Sequence, residues 1–162
     1  MSLLKHTLRL FLLCASLLSA LSSHGQDVSA DTAKIHALLD GLEVIFAKGD
    51  IDGAMQAFTN DAVVFGNEGA DISGAAAIRA AYDGMMSAFN VELTFNTAQI
   101  EVFGDTAYEQ GTFSLKLSDK TSGQVASDTT QRHIHIFKRQ ADGSWKTWRM
   151  MSNALAPPAS AL

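Results

Sequence analysis

The hydrophobic period of this chain changes once, from the 3.6 of a helix to the 2 of a strand, and does not change back. Ile35, Leu38, Leu39, Leu42, Ile45 and Phe46 recur at helical spacing. They put one apolar stripe on an otherwise polar rod. Ser29 or Asp31 can cap this helix, and Gly49 can end it, because glycine accepts the left-handed C-cap conformation. Asp50 can cap a short second helix through Phe58, with Ala54, Met55 and Phe58 inward. Asp61 leads into a short strand, Ala62–Phe65. Ser73 is placed to cap a third helix, with Ile78, Ala81, Tyr82, Met85 and Phe89 on one face. From Val91 the alternation is strand-like. It predicts strands over Val91–Phe103, Thr106–Leu117, Val125–Arg139 and Ser144–Ser152. The breaks between them, Gly104-Asp105, Asp119 to Gly123 and Asp142-Gly143, carry turn chemistry. Helices followed by an antiparallel meander give an α+β fold. A curved sheet wrapped over three N-terminal helices leaves a pocket between them.

The residues before this pattern read differently. Lys5, His6 and Arg9 precede an almost wholly apolar run, Leu10–Leu21, and small residues follow it. That order predicts a signal peptide over residues 1–25, cleaved after Ser22 or Gly25, and hence export to the periplasm or the medium. The run has 12 residues, short of the ~20 that cross a bilayer core; the alternative is an uncleaved anchor. Cys14, the only cysteine, lies inside the run, so the mature domain would fold without a disulfide. Removing Lys5 and Arg9 moves the net charge from −5 to about −7, which disfavours nucleic-acid and anionic-membrane partners. The folded domain is expected over 26–153, with a loose tail over 154–162 that contains Pro157-Pro158.

Three stretches together carry a family resemblance. Ala47-Lys48-Gly49-Asp50-Ile51-Asp52-Gly53-Ala54-Met55 resembles the helix–turn–helix of ketosteroid isomerase-like proteins. Asp61-Ala62-Val63-Val64-Phe65, then Ser73-Gly74-Ala75-Ala76-Ala77-Ile78-Arg79, resembles their first strand and third helix. Phe137 through Trp148, with Asp142-Gly143-Ser144-Trp145-Lys146, resembles their last hairpin. Over roughly 32–153 the chain resembles the nuclear transport factor 2-like superfamily, and within it the SnoaL-like group. The resemblance implies a cystatin-like cone, a small-molecule pocket and a homodimer; fold alone does not give an activity. Ketosteroid isomerase removes a proton beside a ketone while hydrogen-bond donors hold the enolate. Matched to that family, the position of the carboxylate base falls on Gly66 and that of one donor on Leu42, so both are lost. The second donor's position falls on His135, and the supporting tyrosine matches Tyr82.

His135 is therefore the candidate acid–base group, with His133 or Tyr82 orienting it. Residues two apart in a strand share a face, so an inward His135 brings His133 and Phe137 with it. The same parity puts Trp148, Met150 and Ser152 on one face of the last strand, which the family match turns inward. Asn67 follows the first strand as a further binding candidate. For the strand over 106–117 two readings stand. The family match turns Tyr108, Gln110, Thr112 and Ser114 inward. The opposite face, with Glu109, Phe113, Leu115 and Leu117, has the composition of a buried one, or of one packed on a second subunit. A metal reading of the histidines needs a third ligand such as Glu109, and no ligand-spacing motif supplies it; no metal and no cofactor are expected. Three functions follow as expectations: a binder of a small, largely apolar molecule, an isomerase, lyase or cyclase that uses His135, and a homodimeric assembly module.

Overall fold

The computed structural model describes residues 28–66 and 69–155. The expected signal peptide, the binding candidate Asn67 and the tail beyond Leu155 lie outside them. No helix among the described residues is long and apolar enough to cross a membrane.

Helix α1 runs through residues 28–48. It buries Ile35, Leu39, Leu42 and Phe46, the stripe read from the sequence. Asp31 lies within this helix rather than capping it, and its carboxylate accepts from Arg139, far along the chain. Gly49, at φ 68°, ends the helix. Its N–H donates to the Phe46 carbonyl and the Asp50 N–H to the Ile45 carbonyl, the paired bonds of a Schellman turn. Asp50 then caps α2, Ile51–Gln56, by accepting from the Gly53 N–H at 2.9 Å.

Strand β1, Phe58–Phe65, starts where the second helix was expected to continue. Its backbone is claimed by the sheet: the Thr147 N–H donates to the Ala57 carbonyl at 2.7 Å, and Phe58 pairs with Thr147. A short β2, Ile72–Ser73, pairs back on β1. Ser73 therefore belongs to a strand, and the N-cap of α3, Ala75–Ala88, is Gly74, with no side-chain bond. The remaining strands are β3, Phe89–Phe103, β4, Thr106–Asp119, β5, Val125–Arg139, and β6, Trp145–Ala154. The sheet order is β2-β1-β6-β5-β4-β3. The meander β3 to β6 is antiparallel as expected, but β1 joins β6 in parallel, so the curved sheet is mixed. Ala154, expected in the tail, is the last residue of β6 and pairs with Gln131.

Two bulges shape the layer that faces the helices. In β3 the pairing with β4 slips between Thr97 and Gln99. Gly111 sits opposite, where an added Cβ would lie 2.3 Å from the Asn96 carbonyl oxygen. Only glycine lets the two backbones approach so closely. In β6 the pairing with β5 slips between Ile136 and Phe137, so one extra residue enters between Thr147 and Arg149. The core lies between the sheet and the helices in two clusters. One gathers Leu42, Phe46, Phe58, Ala62, Ile78, Met86 and Val91; the other gathers Ile35, Leu39, Ala107, Phe137 and Trp145.

Candidate functional site

Register decides what faces inward. Glu109 pairs with His135 and Gly111 with His133, and residues opposite one another in a sheet share a face. With His135 turned in, 2 % exposed, Glu109 must turn in too, and it is fully buried. Ala107 and Phe113 are buried on the same side. The expectation that Tyr108 and Gln110 face the interior is thereby corrected: they lie on the outer side. Tyr108 stacks on the exposed Phe103, and Gln110 donates to Gln99. The hairpin between β4 and β5 carries a register shift at Leu117/Ser118. One residue more or less on either arm of a hairpin inverts the facing of one strand against the other, and the family match that turned Tyr108 and Gln110 inward is off by one residue on β4.

Trp148 is corrected on similar grounds. Trp145 and Thr147 are buried, and Met150 and Ser152 line the interior cavity, although 147 and 150 differ in parity. The bulge in β6 absorbs the odd residue. It leaves Trp148 outside the cavity, where its Nε1 donates to Asp61 at 3.0 Å and the Arg149 and Lys138 cations lie over its ring.

That cavity, about 210 Å³, opens between the helices and the sheet. Leu42, Phe46, Tyr82 and Met85 form the helix side, and Leu93, Phe95, Phe113, Leu115 and Met150 the sheet side. Its remaining polar residues come together from β5 and β6: Gln131, His135, Thr147 and Ser152. Ser152 and Gln131 satisfy each other, hydroxyl to amide oxygen at 2.9 Å. Thr147 Oγ1 and both ring nitrogens of His135 are buried with no partner among the described residues. Burying such a group unpaired costs about 1–3 kcal/mol. Burial, and secondly His133 beside it, pushes the His135 pKa down to about 3, so its imidazole is neutral at physiological pH. Burial pushes the Tyr82 phenol up to about 12. A larger hollow, about 460 Å³, lies on the outer sheet face between Gln110, Arg132, Ile134 and Met151. It is more open, and of the buried polar groups only His133 borders it, so the interior cavity is the better candidate site.

Behind His135 lies a second layer. His133 Nε2 lies 2.7 Å from Glu109 Oε2, and His135 Nδ1 lies 3.7 Å from the same oxygen. Glu109 Oε1 and His133 Nδ1 have no partner among the described residues. The two imidazoles are 4.8 Å apart between centroids and are walled by Phe95, Phe113 and Phe137. One donor atom from each of Glu109, His133 and His135 falls within 4.8 Å of the others, a set that could hold a metal ion. Of the residues expected at a site, the structure thus brings His135, Tyr82 and Met150 to one cavity. It places His133 and Phe137 directly beside His135. Glu109 was named from the sequence only as the third ligand a metal would need, and Thr147 and Gln131 were not singled out; the inward parity of 131, 133 and 135 was the available signal for Gln131.

Known proteins share this architecture. The family model of the SnoaL-like domain matches residues 36–148, more than half of the chain. The chain belongs to the SnoaL-like family. A search of curated protein sequences found no significant match. Among solved structures, this SnoaL-like chain is similar to a nuclear transport factor 2-like protein with a cystatin-like fold from Novosphingobium aromaticivorans. The TM-score is 0.71 at 22% identity, covering 88% of this chain and 92% of that one. A nuclear transport factor 2-like superfamily protein from Salmonella enterica serovar Typhimurium gives 0.71 at 18% identity, over 82% and 96%. A ketosteroid isomerase-like protein from Erwinia carotovora atroseptica gives 0.66 at 19% identity, over 77% and 96%. At these identities the likeness establishes the cystatin-like fold of the SnoaL-like chain.

Proposed function

We propose that the interior cavity binds a small, largely apolar molecule carrying one polar group, and that His135 engages that group. The observation that carries this reading is a pair of polar side chains, His135 and Thr147, with no partner among the described residues on a largely apolar wall. A cavity lined mostly by hydrophobic residues, with a few convergent polar atoms, is the usual form of a ligand site. A small cyclic alcohol or ketone matches both parts: its ring fills the apolar side, and its oxygen meets an imidazole that is neutral and can donate or accept.

A second reading is that the bound molecule is turned over, as an isomerase or lyase would, with His135 moving a proton beside a carbonyl. The observation in its favour is the Glu109–His133 pair behind His135, more than a simple hydrogen bond to a ligand requires. Leu42 and Gly66 stand where the ketosteroid isomerase pattern has a donor and the base, so the proton would have to move through the histidine.

Titration with 1-naphthol, an apolar ring with one hydroxyl, tests the first reading. Saturable binding is expected, abolished by Leu42→Trp, which fills the cavity, and weakened roughly tenfold by His135→Ala, the worth of one hydrogen bond. Equal binding by wild type and His135→Ala would remove His135 from the site. Deuterium uptake beside the carbonyl of a cyclic enone, followed by NMR, tests the second. Uptake should vanish in His135→Ala while the ligand still binds.

A further inference from the structure

We propose that Glu109, His133 and His135 form a binding site for a divalent transition-metal ion, with zinc the best chemical match. Two imidazoles and one carboxylate are a recognised three-ligand set for zinc with a fourth position left open. Three features of the cluster point to an ion.

The first is distance. Donors around zinc lie at ~2.1 Å from the ion, so in a tetrahedron roughly 3.4 Å from one another. Here His133 Nε2 and His135 Nδ1 are 2.7 and 3.7 Å from Glu109 Oε2, on either side of that value. The second is the lack of partners. Of the three ligand atoms, His135 Nδ1 is buried with nothing to bond to among the described residues, and an ion would be its partner. The third is position. The phenylalanine rings around the histidines offer no polar group, while His135 also borders the cavity. An ion held there would lie next to the interior cavity, on the side that His135 borders.

Rigid placement supports the same assignment. The ligands sit on two paired strands, with Glu109 and His135 directly opposite, so the sheet itself fixes their spacing. This arrangement also explains why no ligand-spacing motif is visible in the sequence: the third ligand enters through strand register.

The site does not depend on the cavity taking an organic ligand, and the two are separable by experiment. The full protein, stripped of metal by a chelator, is titrated with Zn²⁺ and with Co²⁺, whose visible absorption reports ligand geometry. One saturable ion per chain is expected, with a rise in Tm on zinc addition. Glu109→Gln and His135→Asn should each weaken zinc binding by more than the ~10–100-fold that loss of an outer-shell partner causes. Glu109→Gln should still bind 1-naphthol. The His135 ring makes no hydrogen bond to the described residues, so His135→Asn carries the test if Glu109→Gln does not fold. No saturable ion would overturn the proposal, and so would unchanged affinity in both variants, which would place the ion elsewhere. Loss of naphthol binding alone, with zinc binding intact, would count against the cavity reading and leave the metal site standing.

Discussion

Strand β5 carries two polar clusters, each built on a buried carboxylate, and they differ in how far their bonds are made. At its C-terminal end Arg139 grips Asp31 with two bonds of 2.7 and 2.6 Å and also donates to Asp105 and to the Gly104 carbonyl. Trp145 also donates to Asp31, and the guanidinium lies 4.4 Å over its ring. Each charge there has its counter-charge. A few residues upstream, Glu109, His133 and His135 share one short contact and leave four atoms with no partner among the described residues. The difference is informative because both clusters hold a buried carboxylate and hang from the same strand. A closed network ties α1 to the sheet and explains itself by stability. An open one, held in place by aromatic rings, lowers stability and calls for a partner outside the chain.

The comparison breaks most sharply if Asp31 is removed. Asp31→Ala leaves Arg139 and Trp145 Nε1 without their shared acceptor, and about 1–3 kcal/mol of stability should go in urea unfolding, with 1-naphthol binding by the remaining folded protein unchanged. The open cluster should respond with the opposite sign. Replacing it whole by apolar residues, Glu109→Leu with His133→Leu and His135→Leu, should be neutral or stabilising by about 1–4 kcal/mol in the same measurement. A large loss there would mean that the cluster is structural after all. The smallest effect is the acid response. Arg139 holds the Asp31 carboxyl below its ordinary 3.8. Its contribution is full above that value and is lost as pH falls through the lowered one. The stability difference between wild type and Asp31→Asn should therefore shrink on acidification, when both are unfolded by urea at several pH values.

Much of this fold was legible in the sequence, because periodicity and turns are local. The stripe of Ile35, Leu39, Leu42 and Phe46 and the bounds of β5 follow from them; β3 starts two residues early, at Phe89, which was expected on the third helix, and β4 ends two residues late. The parallel pairing of β1 with β6 was not legible, since it joins segments far apart in the chain. The site was legible in part. His133, His135 and Tyr82 could be named from their residue types and from the family match. Glu109 remained on a face whose direction was open, because a register shift of one residue in the β4–β5 hairpin decides it and composition does not encode that shift. Trp148 went to the wrong side because alternation is a sound rule only between bulges, and Tyr108 and Gln110 because the family match is off by one residue on β4.

The odd residue at Trp148 works like a comma in a reading frame. Upstream of it, β6 presents Trp145 and Thr147 to the interior; downstream it presents Met150 and Ser152. Read without that comma, the same residues would send Arg149, Met151 and Asn153 inward, and an apolar container would become a charged one. Deleting Trp148 would close the bulge and still leave Met150 opposite His135, because Arg149 already pairs with Ile136. Strand β5 has no such slack around its histidines: its pairing runs unbroken from Gln131 to Ile136 on both sides. Losing Ile134 there would turn one of the two imidazoles to the opposite face. Variation in length is therefore cheap at one point on the cavity wall and ruinous one strand away.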